Sequence, residues 1–495
     1  MFLVLIQAFV PGVLHGQFAF AGFEHLGQLF QRRLWRVSLQ NSLYLAANTA
    51  WLGTVLALML AMLRQRLAPW GVSLLDLCAW ALLIMPSFII AQGWILFSIK
   101  GGIADAWLGM PWVNAWVFSP QGLVNIMVLK NYPFAYLAIV AAMQWQVRDH
   151  QYAAQLCGAG SWRRFLTVRL PLLLPAILSG MLLVFIDTIG DFGLPAALAT
   201  TYRFPTLPYT IFTAINQSPI RFDLAGVLSF YLMAILMLAV ALYLWLLRRS
   251  RFDFLTAKAE VAKAEPEGSA WLWHLLMLVF VVCALAVPLG ASLAVSVVEQ
   301  LSAGWQSSNF TLQHYRTLLQ PGSLLHSALI NSLRIALIAA MAGAIPVAIR
   351  ILLGAMAQVP ASFLQSAAMQ GAGLMRRLAT VLLPICLAAF LSALLTSFAG
   401  SVFDLAVTSI LHPPGYAVLP VVIDRLFQQG LYGQSTAATL LAAAITLALL
   451  QLTAWSVRRI WRPLFVAPSA SGNSSTLSSA KADKAAEPRL EHQHA

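Results

Sequence analysis

Three carboxylates interrupt otherwise apolar sequence and are the residues best placed to do chemistry. Asp187 and Asp191 stand one helical turn apart, hence on one face, late in the run 174–198, and Asp404 follows the run 382–403. An ionisable group inside a membrane span is costly and is a functional candidate by default. Carboxylate oxygens suit hard cations, so one reading sets the three near the outer mouth of a central pathway. The other makes each a structural hydrogen-bonding group at the outer interface, where it reaches water. Lys130, in the run 121–145 just before Pro133, either attracts an anion or snorkels to the outer headgroups; snorkelling is the simpler reading, there and at Arg334. Nothing assembles a catalytic centre. The histidines are isolated or in the tail, where His492-Gln493-His494 is too short for a metal site, and the four cysteines (Cys78, Cys157, Cys283, Cys386) show no CxxC pairing. No GxxxxGK[ST] motif is present, so any ATP hydrolysis belongs to a separate subunit. The chain is expected to be no enzyme, with no catalytic residue, no metal ligand and no cofactor of its own.

The elements that must position these residues are membrane helices. Of 495 residues, 60% are hydrophobic and 9% charged, against about 25% charged in soluble proteins, and the mean hydropathy is +0.79. Nine runs reach the roughly 20 apolar residues a span needs: 42–63, 74–98, 121–145, 174–198, 225–247, 271–297, 328–357, 382–403 and 435–457. A tenth, Met1–Leu14, is short, lacks the features of a signal peptide, and reads as the later part of a first spanning helix. About ten spanning or partly spanning helices are expected. The net charge of +13 is placed at alternate ends of the spans: Arg64 and Arg66, Arg148 through Arg169, Arg248, Arg249 and Arg251, Arg376-Arg377, and Arg458, Arg459 and Arg462. That is a positive-inside pattern, which excludes a nucleic-acid reading and sets these loops in the cytoplasm. Arg32, Arg33 and Arg36 depart from it and suggest an amphipathic helix on the outer surface. Pro86, Pro133 and Pro346 are expected to kink spans, and Trp107, Trp112 and Trp116 to form an outer interfacial belt.

One pattern occurs twice, 213 positions apart (365 − 152). YAAQLCGAGSWRRFLTVRLP carries Tyr152-Ala153-Ala154, Gly158 and Pro171, and QSAAMQGAGLMRRLATVLLP carries Gln365-Ser366-Ala367, Gly371 and Pro384. Small residues let another protein approach the backbone closely, glycine permits a tight turn, and proline suits the first turn of the following helix. The repeat extends further. Pro133 and Met143 return as Pro346 and Met356, and Asp191 as Asp404, at the same offset, while Leu207-Pro208 returns as Leu419-Pro420 with one residue of slip. Upstream, Asn41-Ser42-Leu43 returns as Asn331-Ser332-Leu333 at an offset of 290, leaving the second half short by 77 residues (290 − 213). The run 328–357 therefore begins as the second helix of a half and ends as the fourth.

The two loops resemble the EAA loops of binding-protein-dependent ABC importers, with Tyr152 and Gln365 standing where that motif has its leading glutamate. The resemblance covers roughly 35–460 and is nearest to fused permeases of the ferric-iron type, in DTIGDFGLPAALATTYRFPTLPYTIFTAI and SVFDLAVTSILHPPGYAVLP. It implies an all-α integral membrane protein of two homologous helical-bundle halves, the second shortened, in the bacterial inner membrane. The halves would be 1–247, with a coupling loop at about 148–170, and 270–462, with one at about 358–383; 248–269 would be a cytoplasmic linker and 463–495 a disordered cytoplasmic tail. It further implies two copies of an ATPase subunit, which bind the ATP, a periplasmic binding protein that delivers the substrate, and a lipid bilayer around the helices. Ferric iron is the implied cargo; aminoethylphosphonate, thiamine, polyamines and sulfate are carried by related permeases. A non-transporting shortened permease and an ATP-independent carrier are the other classes considered.

Overall fold

The computed structural model describes residues 9–10, 20, 27, 31–144, 156–158, 160–199, 203–218, 220–249, 270–339, 369, 373, 394, 397–398, 400–405, 408–409 and 415–465. Among these the chain is helical, and seven helices are long and apolar enough to cross a membrane. An eighth crossing is available if Gln313–Leu319 and Leu324–Ala339, bent by 59° at their junction, count as one span. Residues 340–357, with Pro346 and part of the run in which the second half is expected to be shortened, and most of 382–403 lie outside the described residues.

The first half is built on α1 (Arg33–Arg64), α4 (Pro120–Gln144) and α5 (Leu170–Gly190), which pack against one another in all three pairs. Between α1 and α4 the run 74–98, expected as one span, is two helices: α2 (Pro69–Ile84) and α3 (Ser87–Ser98). The break falls at Met85-Pro86, where both residues take extended backbone because proline disfavours helix in the residue before it. The run 174–198 also breaks, at Asp191-Phe192, between α5 and the short α6 (Gly193–Leu198). After α6 come α7 (Leu207–Asn216) and α8 (Phe222–Arg249). The second half opens with α9 (Ala270–Val281) and α10 (Val287–Ser296), continues through α11 (Gln313–Leu319) and α12 (Leu324–Ala339), and ends in α13 (Leu419–Gln428) and α14 (Tyr432–Phe465).

Arg33 and Arg36 lie in the first turns of α1, so the separate surface helix expected for them is instead the continuous start of a span. Arg32 and Arg221 both lie against the Trp35 ring, at 5.1 and 5.7 Å. At the other end of α1, Arg64 forms a two-pronged ion pair with Asp76 (3.0 and 2.8 Å), and the buried Tyr136 donates to the same carboxylate at 2.7 Å. Trp116 packs on Trp94 rather than standing free in an interfacial belt, while Trp107 and Trp112 are exposed.

Proline explains both wide turns among the described residues. The π turns Phe165–Arg169 and Val282–Ala286 each end two residues before a proline, Pro171 and Pro288. A proline has no N–H for the carbonyl four residues back, which is residue 167 or 284, the middle of each turn, so the local ladder widens.

The two repeats seen separately in the sequence are two sides of one contact. In the first half Ser42 Oγ accepts the Leu207 N–H at 2.7 Å, and Asn41 donates its amide to the Pro205 carbonyl at 2.9 Å. In the second, Ser332 Oγ accepts the Leu419 N–H at 2.7 Å and Asn331 donates to the Ala417 carbonyl at 2.9 Å. Each clamp satisfies an orphan donor at the start of α7 or α13, where the next residue is a proline with no donor to offer. Ser42→Ala or Ser332→Ala leaves that buried N–H unpaired, at a cost of about 1–3 kcal/mol. Each variant is expected to melt at a lower temperature in detergent, and an unchanged midpoint in both would show that the clamps carry no stability. The copies differ one turn away: Ser38 Oγ meets Thr210 Oγ1 at 2.8 Å, whereas the equivalent residues Ala328 and Val422 are buried and apolar.

Candidate translocation cavity and coupling loop

The breaks in the helices converge on one place. A cavity of about 330 Å³ is lined by Met85, Pro86 and Ser87 from the break between α2 and α3, by Asp191 and Gly193 from the break between α5 and α6, and by Phe403, Asp404 and Leu405. Non-helical backbone is tolerated at membrane depth where it lines a cavity or is buried in protein. Apolar packing across the halves supports the site: Phe88, Ile89 and Phe192 share one buried cluster with Leu325, Val402, Phe403 and Leu419.

Asp187, Asp191 and Asp404 all line this cavity, and so does Lys130. Asp191 is held by two bonds to the same oxygen, Oδ1, which accepts from Ser87 Oγ at 2.6 Å and from the Gly193 N–H at 2.8 Å. A side chain at Gly193 would collide with both Ser87 Oγ and the Phe88 backbone, at 2.6 and 2.9 Å, so the close approach of α6 to α3 depends on that glycine. Asp404 occupies the matching backbone position: its N–H points to the Ser401 carbonyl at 3.5 Å, as that of Asp191 does to Thr188 at 3.2 Å. Its carbonyl also accepts a bond from the Thr408 hydroxyl.

Lys130 does not snorkel. It is 6% exposed, and its Nζ donates to Asn131 Oδ1 at 3.3 Å. The Asn131 amide in turn donates to Thr188 Oγ1 at 3.0 Å, tying α4 to the residue next to Asp187. The sequence held the signal: Lys130 is ten residues inside a helix that starts at Pro120, about 15 Å along its axis at 1.5 Å per residue. Arg334, in contrast, is exposed. Ser87 was not singled out in the sequence; its only mark there is its place directly after Pro86.

At the far end of α5, about 30 Å away at 1.5 Å per residue, lies the first repeated loop. Gly158 is exposed with φ +77°, and a Cβ there would meet no atom of the described residues within 4 Å. Leu156 is 90% exposed and Trp162 is 70% exposed, the latter stacked on Phe165 at 5.6 Å. Arg169, at the end of the π turn, donates to Gln65 Oε1 and so links this loop to the end of α1. Pro171 opens α5. Tyr152, Ala153 and Ala154, and in the second loop Gln365, Ser366, Ala367, Gly371 and Pro384, lie outside the described residues.

Comparison with known proteins accounts for the duplication. The model of the family described as "Binding-protein-dependent transport system inner membrane component" matches twice, over residues 53–251 and 269–462. The molybdenum transport system permease protein ModB of Escherichia coli (strain K12) is 30% identical over 191 residues, which cover 37% of this chain and 80% of that protein. The ferric transport system permease protein FbpB of Actinobacillus pleuropneumoniae is 24% identical over 217 residues, 43% of this chain but only 31% of the relative. A solved bacterial ABC transporter involved in import of the acidic polysaccharide alginate aligns with 51% of this chain and 89% of its own at 19% identity and a TM-score of 0.41. With two matches to the family model spanning most of its length, the chain belongs to the binding-protein-dependent transport system inner membrane components, as a multi-pass helical permease of the ABC importer type with both copies fused in one polypeptide.

Proposed function

We propose that this chain forms the gated pathway of an ATP-driven importer whose cargo is a hard cation, ferric iron, passing the carboxylates of Asp187, Asp191 and Asp404. The observation that carries the reading is one cavity, at breaks in several helices, lined by carboxylates from both halves. Two ATPase subunits dock on the two repeated loops, with Tyr152, Ala153, Ala154 and Gly158 before Pro171 in the first, and Gln365, Ser366, Ala367 and Gly371 before Pro384 in the second. A periplasmic binding protein delivers the ion to the opposite face. Closure of the ATPases shifts the loop, and α5 carries the shift to the cavity as a continuous helix with Pro171 at one end and Asp191 just past the other.

An oxyanion cargo is the second reading. It is favoured by the buried Lys130 amine in the same cavity and by the higher identity to the molybdenum permease than to the ferric one. Uptake by the reconstituted importer separates the two. Asn in place of Asp191 keeps an oxygen that accepts from Ser87 and Gly193, so Asp191→Asn and Asp404→Asn chiefly remove charge. Each is expected to lower ferric uptake by about tenfold, the equivalent of one charged hydrogen bond, with membrane insertion and ATPase binding unchanged. The double variant should cost little more than the worse single one if both groups serve one pathway. Full ferric uptake in the double variant would remove the carboxylates from the pathway, and molybdate uptake by the unaltered protein would replace iron with an oxyanion.

A further inference from the structure

We propose that Lys130 is a specificity-determining residue of this cavity, a tethered cation that shares the lining with the carboxylates while no cargo is bound and sets the charge a cargo must carry to compete with it. The inference rests on the cation reading above and deepens it. Lys130 is the single Lys or Arg among the described residues that line the cavity, and it shares that lining with Asp187, Asp191 and Asp404. Its position is built rather than incidental. The residue is buried, and Asn131, whose side-chain oxygen accepts the hydrogen bond of its amine, is fixed by Thr188 on α5, beside Asp187.

The internal repeat gives an independent argument. At the offset of 213 that relates Asp191 to Asp404, Lys130 corresponds to Gly343 and Asp187 to Gly400. Lys130 and Asp187 are present in one copy and both places are glycine in the other, while the Asp191/Asp404 pair is kept in both. A lysine and an aspartate found in the same copy, and lining one cavity, add an unmatched amine and carboxylate to a symmetric pair.

The charge consequence follows from Coulomb's law. Attraction to the carboxylates scales with the charge of the ion. A monovalent ion offers no more than the ammonium already in place and must shed its water as well, whereas a trivalent ion offers three times as much. Lys130 therefore excludes monovalent ions and leaves the cavity open to highly charged ones.

The test uses the full-length permease in lipid nanodiscs, with Tb³⁺ as a trivalent luminescent probe, Rb⁺ as competitor and molybdate as the anionic probe. Only the Tb³⁺ signal that is lost in the Asp191→Asn/Asp404→Asn double variant is counted. In the unaltered protein this signal is expected to resist excess Rb⁺. In Lys130→Met it should titrate at least tenfold tighter and become sensitive to Rb⁺, and in Lys130→Arg it should stay as in the unaltered protein. Lys130→Gln, checked like the others by its melting temperature, replaces the methionine variant if that one fails to fold. A Lys130→Met protein with unaltered Tb³⁺ affinity and continued resistance to Rb⁺ would overturn the role of Lys130 while leaving the cation pathway in place. Binding of molybdate but no counted Tb³⁺ signal, with molybdate lost in Lys130→Met, would overturn the cation reading itself and recast Lys130 as an anion ligand.

Discussion

Replacing Gly93 with leucine is expected to remove most folded protein from the membrane. A Cβ at Gly93 would stand 2.3 Å from the Pro288 carbonyl oxygen and 2.7 Å from both its carbonyl carbon and Cα. These are backbone atoms, so no rotamer change relieves the clash, and α3 would have to separate from α10. Small residues at such crossings are what allow membrane helices to pack closely, and overpacking a fitted contact costs about 1–3 kcal/mol or more. The crossing joins α3 of the first half to α10 of the second, so its loss weakens the packing between the halves and not only that of two neighbours. Fluorescence-detected size-exclusion of detergent extracts gives the readout: Gly93→Ala should reduce the monodisperse peak and Gly93→Leu should abolish it. Gly290→Ala, on α10 but with no described atom within 4 Å of the added carbon, should leave it unchanged. A full peak for Gly93→Leu would show that this contact is not close in the folded protein.

Gly158→Val is expected to lower ATP-driven uptake by about tenfold or more while insertion into the membrane stays normal. Two causes are separable here. The φ of +77° disfavours any side chain, by about 1–2 kcal/mol for most residues, but asparagine tolerates it several-fold better than others. Close approach of a docked ATPase disfavours size. If docking governs, uptake should fall in the order alanine, asparagine, valine; if backbone strain governs, alanine should fall below asparagine. Among the described residues nothing lies within 4 Å of a Cβ at Gly158, so the size series is aimed at a docked partner. Unaltered coupling of hydrolysis to uptake in Gly158→Val would defeat the docking assignment for this loop.

Much of this architecture was legible in the residues. The offsets of 213 and 290 related Asp191 to Asp404 and Asn41-Ser42 to Asn331-Ser332, and the structure turns the second relation into two matching clamps. What the repeat did not disclose was that Ser42 and Leu207 touch, because a sequence offset relates copies and says nothing of contacts within one. The breaks at Met85-Pro86 and Asp191-Phe192 were hidden for a different reason. Side chains around a buried cavity are still largely apolar, so hydropathy runs smoothly across backbone that is not helical. The local signs were Pro86, which was read as a kink, and Gly190, Gly193 and Pro195 around Asp191, which were not read as a break. Lys130 was misassigned because one lysine near an interface and one at depth have the same local composition; counting its distance from the helix start separates them.

Three carboxyl groups and one amine around a single cavity also bear on why two copies are joined in one chain. An assembly of two identical subunits can place charges about its axis only in twos, so an odd number of carboxylates, or an unmatched amine, is closed to it by symmetry. Fusion lifts that restriction. One copy is free to acquire Lys130 and Asp187 while the other keeps glycine at both places, and the charge of the passage can then be adjusted one residue at a time.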